Sequence, residues 1–249
     1  MTAYERVARD LRAAILRGDY APGETIPRSV DLATRYGLSR WTIRQAIALL
    51  EREGLVTPVR RRGTVVRDRR AVRIPWSVYN SATAPSTRGP WERACDALGV
   101  DGHAELVGVE RRGAPADVAA ALGVDEGAPV VCRRRHMWAR DQVAQVQAAW
   151  YPLALVDGTP LAEDATIGGG AYGALAAAGL APASADVTVT ARMPTPDERS
   201  SLGLGPGTPV LAVDRVTRDQ RGRAVEVLRA VADADRVALV YDGLPVGDA

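Results

Sequence analysis

The sequence predicts an α+β chain in two domains, a small and mostly helical N-terminal one and a larger one built on an antiparallel sheet. Three observations carry this. Before residue 55, apolar residues recur at three- and four-residue spacing in three segments, each followed by a glycine. From residue 106 onward, valine-rich alternating runs are separated by turn residues, with only brief helical stretches between them. The charge is also uneven: residues 1–70 hold 15 Arg against 8 acidic residues (+7), and residues 71–249 hold 17 Arg against 22 (−5). A basic front third on an acidic remainder implies a polyanionic partner for the first part only.

The totals set the frame. A chain of 249 residues, 47% apolar, can bury the cores of two domains. It has no run of 18 apolar residues and no apolar leader segment, so the expectation is a cytoplasmic protein without a membrane partner. Cys95 and Cys132 lack metal-ligand spacing and are expected as buried free thiols unless the fold brings them together. With only His103 and His136 besides, no metal and no cofactor is expected.

Taken in order, residues 4–16 form the first helix, with Val7, Leu11, Ala14 and Ile15 inward and Gly18 at its end. Pro22 and Gly23 mark a turn. Residues 29–36 form a short second helix closed by Gly37. The third starts at Ser39, a good N-cap, runs along the stripe Ile43, Ala46, Ile47 and Leu50, and closes at Gly54. Arg40, Thr42 and Arg44 occupy its first turn and a half, where a helix entering a major groove meets base edges and phosphates. Arginine suits that place because its planar fork pairs with guanine or grips phosphate oxygens. Residues 55–59 and 64–67 read as a hairpin with Arg60, Arg61, Arg62 and Gly63 at its tip. Three helices and a hairpin make a winged helix, and the basic tip is placed to reach phosphates or a minor groove. The bland alternative is a solvated basic face and a hairpin that touches nothing.

In Ile15 to Gly18, Pro22 to Pro27, Asp31-Leu-Ala33, Leu38-Ser-Arg40, Thr42-Ile-Arg44-Gln-Ala46, Glu53-Gly-Leu55 and Arg62-Gly-Thr64, the first part resembles the DNA-binding domain of the GntR family of bacterial transcription regulators. The resemblance implies that Arg40, Thr42 and Arg44 contact operator DNA, with the wing from Arg62 to Thr64 as a second contact. The chain departs from the family pattern at Val30, where an arginine is usual and Arg28 is the neighbouring substitute. It departs again at Arg61, where the wing usually has glycine.

Residues 69–90 read as a linker, charged at Asp68 to Arg70 and small, polar and proline-bearing from Asn80 to Pro90. Val72, Ile74, Trp76, Val78 and Tyr79 interrupt it without declaring which domain they join. Boundaries follow at 1–68, 69–90 and 91–249. In the last of these, helices are expected at 91–98, 115–122, 172–178 and 196–202, the last opened by the capping box Thr195 to Glu198. Strands are expected at 106–109, 129–138, 143–151, 187–193, 210–217, 224–231 and 237–241. This order resembles the UTRA ligand-sensing domain of the HutC subfamily, which has the chorismate lyase fold. The matching pieces include Asp117-Val-Ala119, Leu122-Gly123, Arg133, Arg135, the strand ending Tyr151-Pro152, Gly169-Gly170, Tyr172, Arg192, Thr195, Glu198, Gly222 and Glu226.

Arg133 and Arg135 fall on one face of a strand, with Arg134 on the other, and make a site for a phosphate or carboxylate. The resemblance implies a small polar effector held by these arginines with Gln147, Tyr151 and Glu226, Gln147 standing where the family has glutamate. The plain alternative places both arginines in solvated cross-strand pairs. Gly168 to Gly170 lacks a Walker lysine and reads as a loop rather than a phosphate cradle. The function expected is a homodimeric repressor of a palindromic double-stranded DNA operator, released by a small, anionic or polar metabolite. The rival readings are a constitutive dimeric DNA binder and a lyase-like enzyme, the latter without any catalytic pairing in the sequence.

Overall fold

The structure, a computed structural model, describes residues 1–68, 71–75, 89–205 and 207–242. Trp76, Val78, Tyr79 and most of the expected linker therefore lie outside the described residues. The first domain is built as its periodicity dictates. Helices α1 (Ala3–Arg17), α2 (Ser29–Tyr36) and α3 (Arg40–Arg52) are followed by the antiparallel pair β1 (Val56–Val59) and β2 (Gly63–Val66). Their stripes meet in one core of Val7, Leu11, Ile26, Leu32, Ile43 and Leu50, all essentially excluded from solvent. Gly18 and Gly37 end α1 and α2 in the left-handed conformation, donating back to carbonyls that would otherwise be orphaned.

Residues 72–75, left open by the sequence, form strand β3 (Val72–Pro75), and Val72 and Ile74 pack with Trp91 in the core of the second domain. The expected final strand, β10 (Val237–Val240), pairs parallel with β3 and stays outside the main sheet. Its four apolar residues fix its burial but carry no signal of which strand it would join.

The second domain holds α4 (Pro90–Asp96), β4 (Gly102–Gly113), α5 (Ala116–Leu122), β5 (Pro129–Ala139), β6 (Gln142–Pro152), α6 (Leu153–Val156), α7 (Gly170–Ala177), β7 (Pro182–Arg192), α8 (Pro196–Leu202), β8 (Val210–Asp219) and β9 (Ala224–Asp233). Six strands form one antiparallel sheet in the order β4-β5-β6-β9-β8-β7. Strand β4 is much longer than the expected 106–109, because its charged residues Glu105, Glu110, Arg111 and Arg112 hide the alternation. Cys95 and Cys132 are free and buried, and burial pushes the Cys95 thiol up to about 11, leaving it an inert thiol at neutral pH.

The two domains touch. Arg67, just past β2, reaches Asp233 at 3.4 Å, Asp235 at 3.2 Å and the Thr208 hydroxyl. Beside it, Gly207 lies so close to α3 that a β-carbon would stand 2.3 Å from the Arg52 carbonyl oxygen, so only glycine permits the approach.

Candidate nucleic-acid interface and ligand cavity

The N-terminus of α3 is assembled by Ser39, whose Oγ accepts from the Thr42 amide at 3.1 Å and lies 2.9 Å from the Thr42 hydroxyl. This ties Thr42 into the cap and leaves Arg40 and Arg44 exposed on the first turns. Neither has an ion pair or hydrogen bond among the described residues, and the same holds for Arg28, Arg60 and Arg61. Arg62 differs, donating from Nη2 to the Gly23 carbonyl at 3.1 Å, so it braces the wing against the turn before α2. Gly63 and Thr64 open β2 at its base, and Arg61 turns the tip with φ +68°. That is a left-handed position which a side chain occupies at a cost of about 1–2 kcal/mol. Arg28 is the exposed N-cap of α2, without a capping bond, and Val30 nearby is 43% exposed. One residue escaped the sequence reading: Trp41, 68% exposed on the first turn of α3. It lies off the apolar stripe and three positions before Arg44, so helical phase alone places it on the arginine side.

The other site is a cavity of about 410 Å³ over one face of the sheet. The register explains why its residues converge: Arg133, Ala149, Leu228 and Arg215 lie on one rung across β5, β6, β9 and β8, and Arg135 and Gln147 on a neighbouring one. All five residues expected at an effector site, Arg133, Arg135, Gln147, Tyr151 and Glu226, line it. Arg134, on the opposite face, pairs with Glu110.

Convergence does not mean equal availability. Arg133 is 4% exposed and spends its Nη1 on the carbonyls of Leu161 (2.9 Å) and Glu163 (2.7 Å) and its Nη2 on that of Ala165 (2.6 Å), so it staples the 160–165 loop to the sheet. Glu226, fully buried, accepts from Tyr151 at 2.7 Å, Arg215 at 2.8 Å and Thr217 at 3.0 Å. Burial pushes the Glu226 carboxyl up, but the Arg215 charge and these three hydrogen bonds outweigh it and hold the group below its usual value. Burial and the neighbouring Glu226 push the Tyr151 phenol well above its usual value, which keeps it a donor. Arg135 is the contrast: its Nε is buried with no acceptor among the described residues. The glycine loop expected to be a plain connection also borders the cavity, Gly169 and Gly170 forming the start of α7. The first amides of a helix carry partial positive charge and suit an anion.

Two family models match the chain: bacterial regulatory proteins of the gntR family over residues 3–66, and the UTRA domain over residues 97–238. The chain belongs to the GntR family. It is a GntR-type transcriptional regulator with a DNA-binding domain and a UTRA ligand-binding domain, not an enzyme. It is 31% identical to an HTH-type transcriptional regulator of Rhizobium meliloti, covering 95% of this chain and 93% of that one. It is 25% identical to the HTH-type transcriptional repressor NagR of Bacillus subtilis, covering 96% and 93%. Among solved structures, a GntR-family transcriptional regulator matches with TM-score 0.63 at 31% identity over 99% of both chains. PhnF from Mycobacterium smegmatis matches with TM-score 0.60 at 26% identity, covering 94% and 97%. Among the described residues no helix is long and apolar enough to cross a membrane, and no cluster of His, Cys, Asp or Glu has the makings of a metal site.

Proposed function

We propose that this chain is a homodimeric repressor that leaves a palindromic operator when a small anionic metabolite enters the cavity. The division of labour gives residues 1–68 to the duplex and residues 91–249 to the ligand and the dimer, with β3 from the stretch between them joined to the second domain. Arg40, Thr42 and Arg44 read base edges and phosphates under the Ser39 cap. Trp41 adds an apolar surface of the kind that meets a thymine methyl, and Arg28 and the wing from Arg60 to Thr64 grip the backbone. The repressor role agrees with that of the relative NagR, an HTH-type transcriptional repressor.

The observation that carries the ligand reading is Arg135, whose buried Nε lacks an acceptor inside a cavity that also holds the start of α7. A buried guanidinium N–H without a partner costs free energy that an anionic ligand recovers. In this reading Arg133 shapes the cavity wall, Gln147 offers a neutral amide, and Tyr151 and Glu226 fix the floor. A route to the DNA-binding domain exists in the chain itself. Strand β9 carries Glu226 and Leu228 at the cavity and ends at Asp233, which holds Arg67 beyond the wing. A ligand that favours one placement of β9 over another shifts the population of DNA-competent dimers, by no more than its differential affinity.

The test uses the full chain and a duplex that it selects from a random pool. Small phosphorylated and carboxylated metabolites are screened by thermal shift, and a stabilising compound is then titrated against the bound duplex by fluorescence anisotropy. Release by that compound, lost in Arg135→Ala with duplex affinity kept, is the expected result; a variant that releases normally removes Arg135 from the site.

A further inference from the structure

The two edges of the main sheet are unlike. Strand β4, at one edge, carries Glu105, Glu110, Arg111 and Arg112 and breaks register between Leu106 and Gly108. Charges and bulges of this kind keep an edge from pairing with another chain. Strand β7, at the other edge, has eleven residues and not one of them is buried. Its outer side has no pairing partner among the described residues. Beyond the register shift between Pro182 and Ser184 it pairs regularly with β8 from Ser184 to Arg192, a stretch without proline. Ala185, Val187, Val189 and Ala191 share one face, and Val189 and Met193 are among the exposed large apolar residues.

We infer that β7 is the seam of the dimer: it pairs antiparallel with β7 of a second copy about a twofold axis through Val189. This rests on the homodimer reading and specifies its interface. Charge complementarity selects the register. An axis through Val189 sets Asp186 opposite the partner's Arg192, Val187 opposite the partner's Ala191 and Thr188 opposite the partner's Thr190. Shifting the axis by one residue in either direction sets Asp186 against a threonine or beyond the end of the partner strand, and both salt partners are lost. Within each chain Asp186 already sits 3.4 Å from Arg218, and Arg192 sits 2.7 Å from Glu198. The seam then runs Arg218, Asp186, and the partner's Arg192 and Glu198, alternating in sign, and by symmetry runs the same way in reverse. The apolar residues meet apolar ones and the threonines meet each other, pairs that stabilise antiparallel strands. Two six-stranded sheets become one continuous sheet. The seam lies one strand from Arg215 and two from Glu226, which brings each cavity within reach of the twofold axis.

The experiment places a single cysteine in the full chain. Val189 is 40% exposed, and the native Cys95 and Cys132 are buried, so Val189→Cys adds the one accessible thiol among the described residues. Directly opposed β-carbons stand about 4.5–5.5 Å apart, close to disulfide geometry. Mild oxidation converts Val189→Cys almost wholly to a covalent dimer on a non-reducing gel. Val187→Cys, four residues from its symmetry mate and so about 13 Å away, stays uncrosslinked. Asp186→Arg, which sets like charges face to face, raises the dimer dissociation constant at least tenfold by sedimentation while circular dichroism is unchanged. Sedimentation of the unaltered chain separates the two ideas. A dimeric mass without Val189→Cys crosslinking, or with Val187→Cys crosslinking better, overturns the seam and leaves the homodimer standing. A monomeric mass overturns both.

Discussion

In the N-terminal domain Arg28, Arg40, Arg44, Arg60 and Arg61 stand in solvent with no protein partner among the described residues. In the sheet Arg133 and Arg215 are each 4% exposed and bonded, the first to the carbonyls of a loop and the second to Glu226. The same side chain serves opposite ends in the two places. A surface that meets a polyanion needs charge that is unspent until the partner arrives, so its arginines add little to stability. A cavity that discriminates among small molecules needs charge already fixed in place, so its arginines are part of the fold and are costly to remove. Arg135 stands between: partly exposed as a residue, it has a buried Nε with no acceptor among the described residues.

Five substitutions test this contrast, from the largest expected effect downward. Arg133→Ala removes the donor for three close carbonyls and should lower unfolding free energy by about 3 kcal/mol or more in urea denaturation. A variant of wild-type stability would show that the 160–165 loop holds itself. Glu226→Gln leaves Arg215 without its counter-charge and should cost about 2–3 kcal/mol. Because the Glu226 carboxyl is held below its usual value, the stability it gives is present above that usual value. It is lost as pH falls toward the depressed one, so the acid limb of stability against pH should be shallower in Glu226→Gln; an unchanged limb would contradict this. Arg40→Ala and Arg44→Ala should each weaken duplex binding by about 1–3 kcal/mol while leaving the melting temperature within a degree or so. A matched loss of stability would place these side chains in the fold instead. The smallest effect is at the wing tip. Arg61→Gly relieves the left-handed strain and should stabilise the first domain by up to about 1 kcal/mol while weakening binding at low salt only. Destabilisation there would mean that the Arg61 side chain holds the turn.

The first domain was legible in the sequence because local rules decide it: apolar stripes, a serine cap and terminal glycines each act within a few residues. The second was legible in element order but not in pairing. Strand β10 looked like one more strand of the sheet, yet a four-residue apolar run does not encode its neighbour, and its partner β3 lay in the stretch read as linker. At the site, period-two alternation placed Arg133 and Arg135 on one face, and their convergence with Gln147, Tyr151 and Glu226 was expected from resemblance. What escaped was how Arg133 is spent, since backbone carbonyls accept from any sequence and leave no trace in it. Trp41 escaped for a different reason: a single exposed aromatic residue off the apolar stripe of α3 has no periodicity to mark it.

The central claim is that occupancy of the cavity and grip on DNA are one equilibrium. It is tested most directly by measuring the affinity of the full chain for its selected duplex with and without a saturating cavity ligand, and the affinity for that ligand with and without duplex. The account predicts that each lowers the other by the same factor, at least fivefold, as linkage requires. Ligand and duplex that bind side by side with unchanged affinities would contradict it.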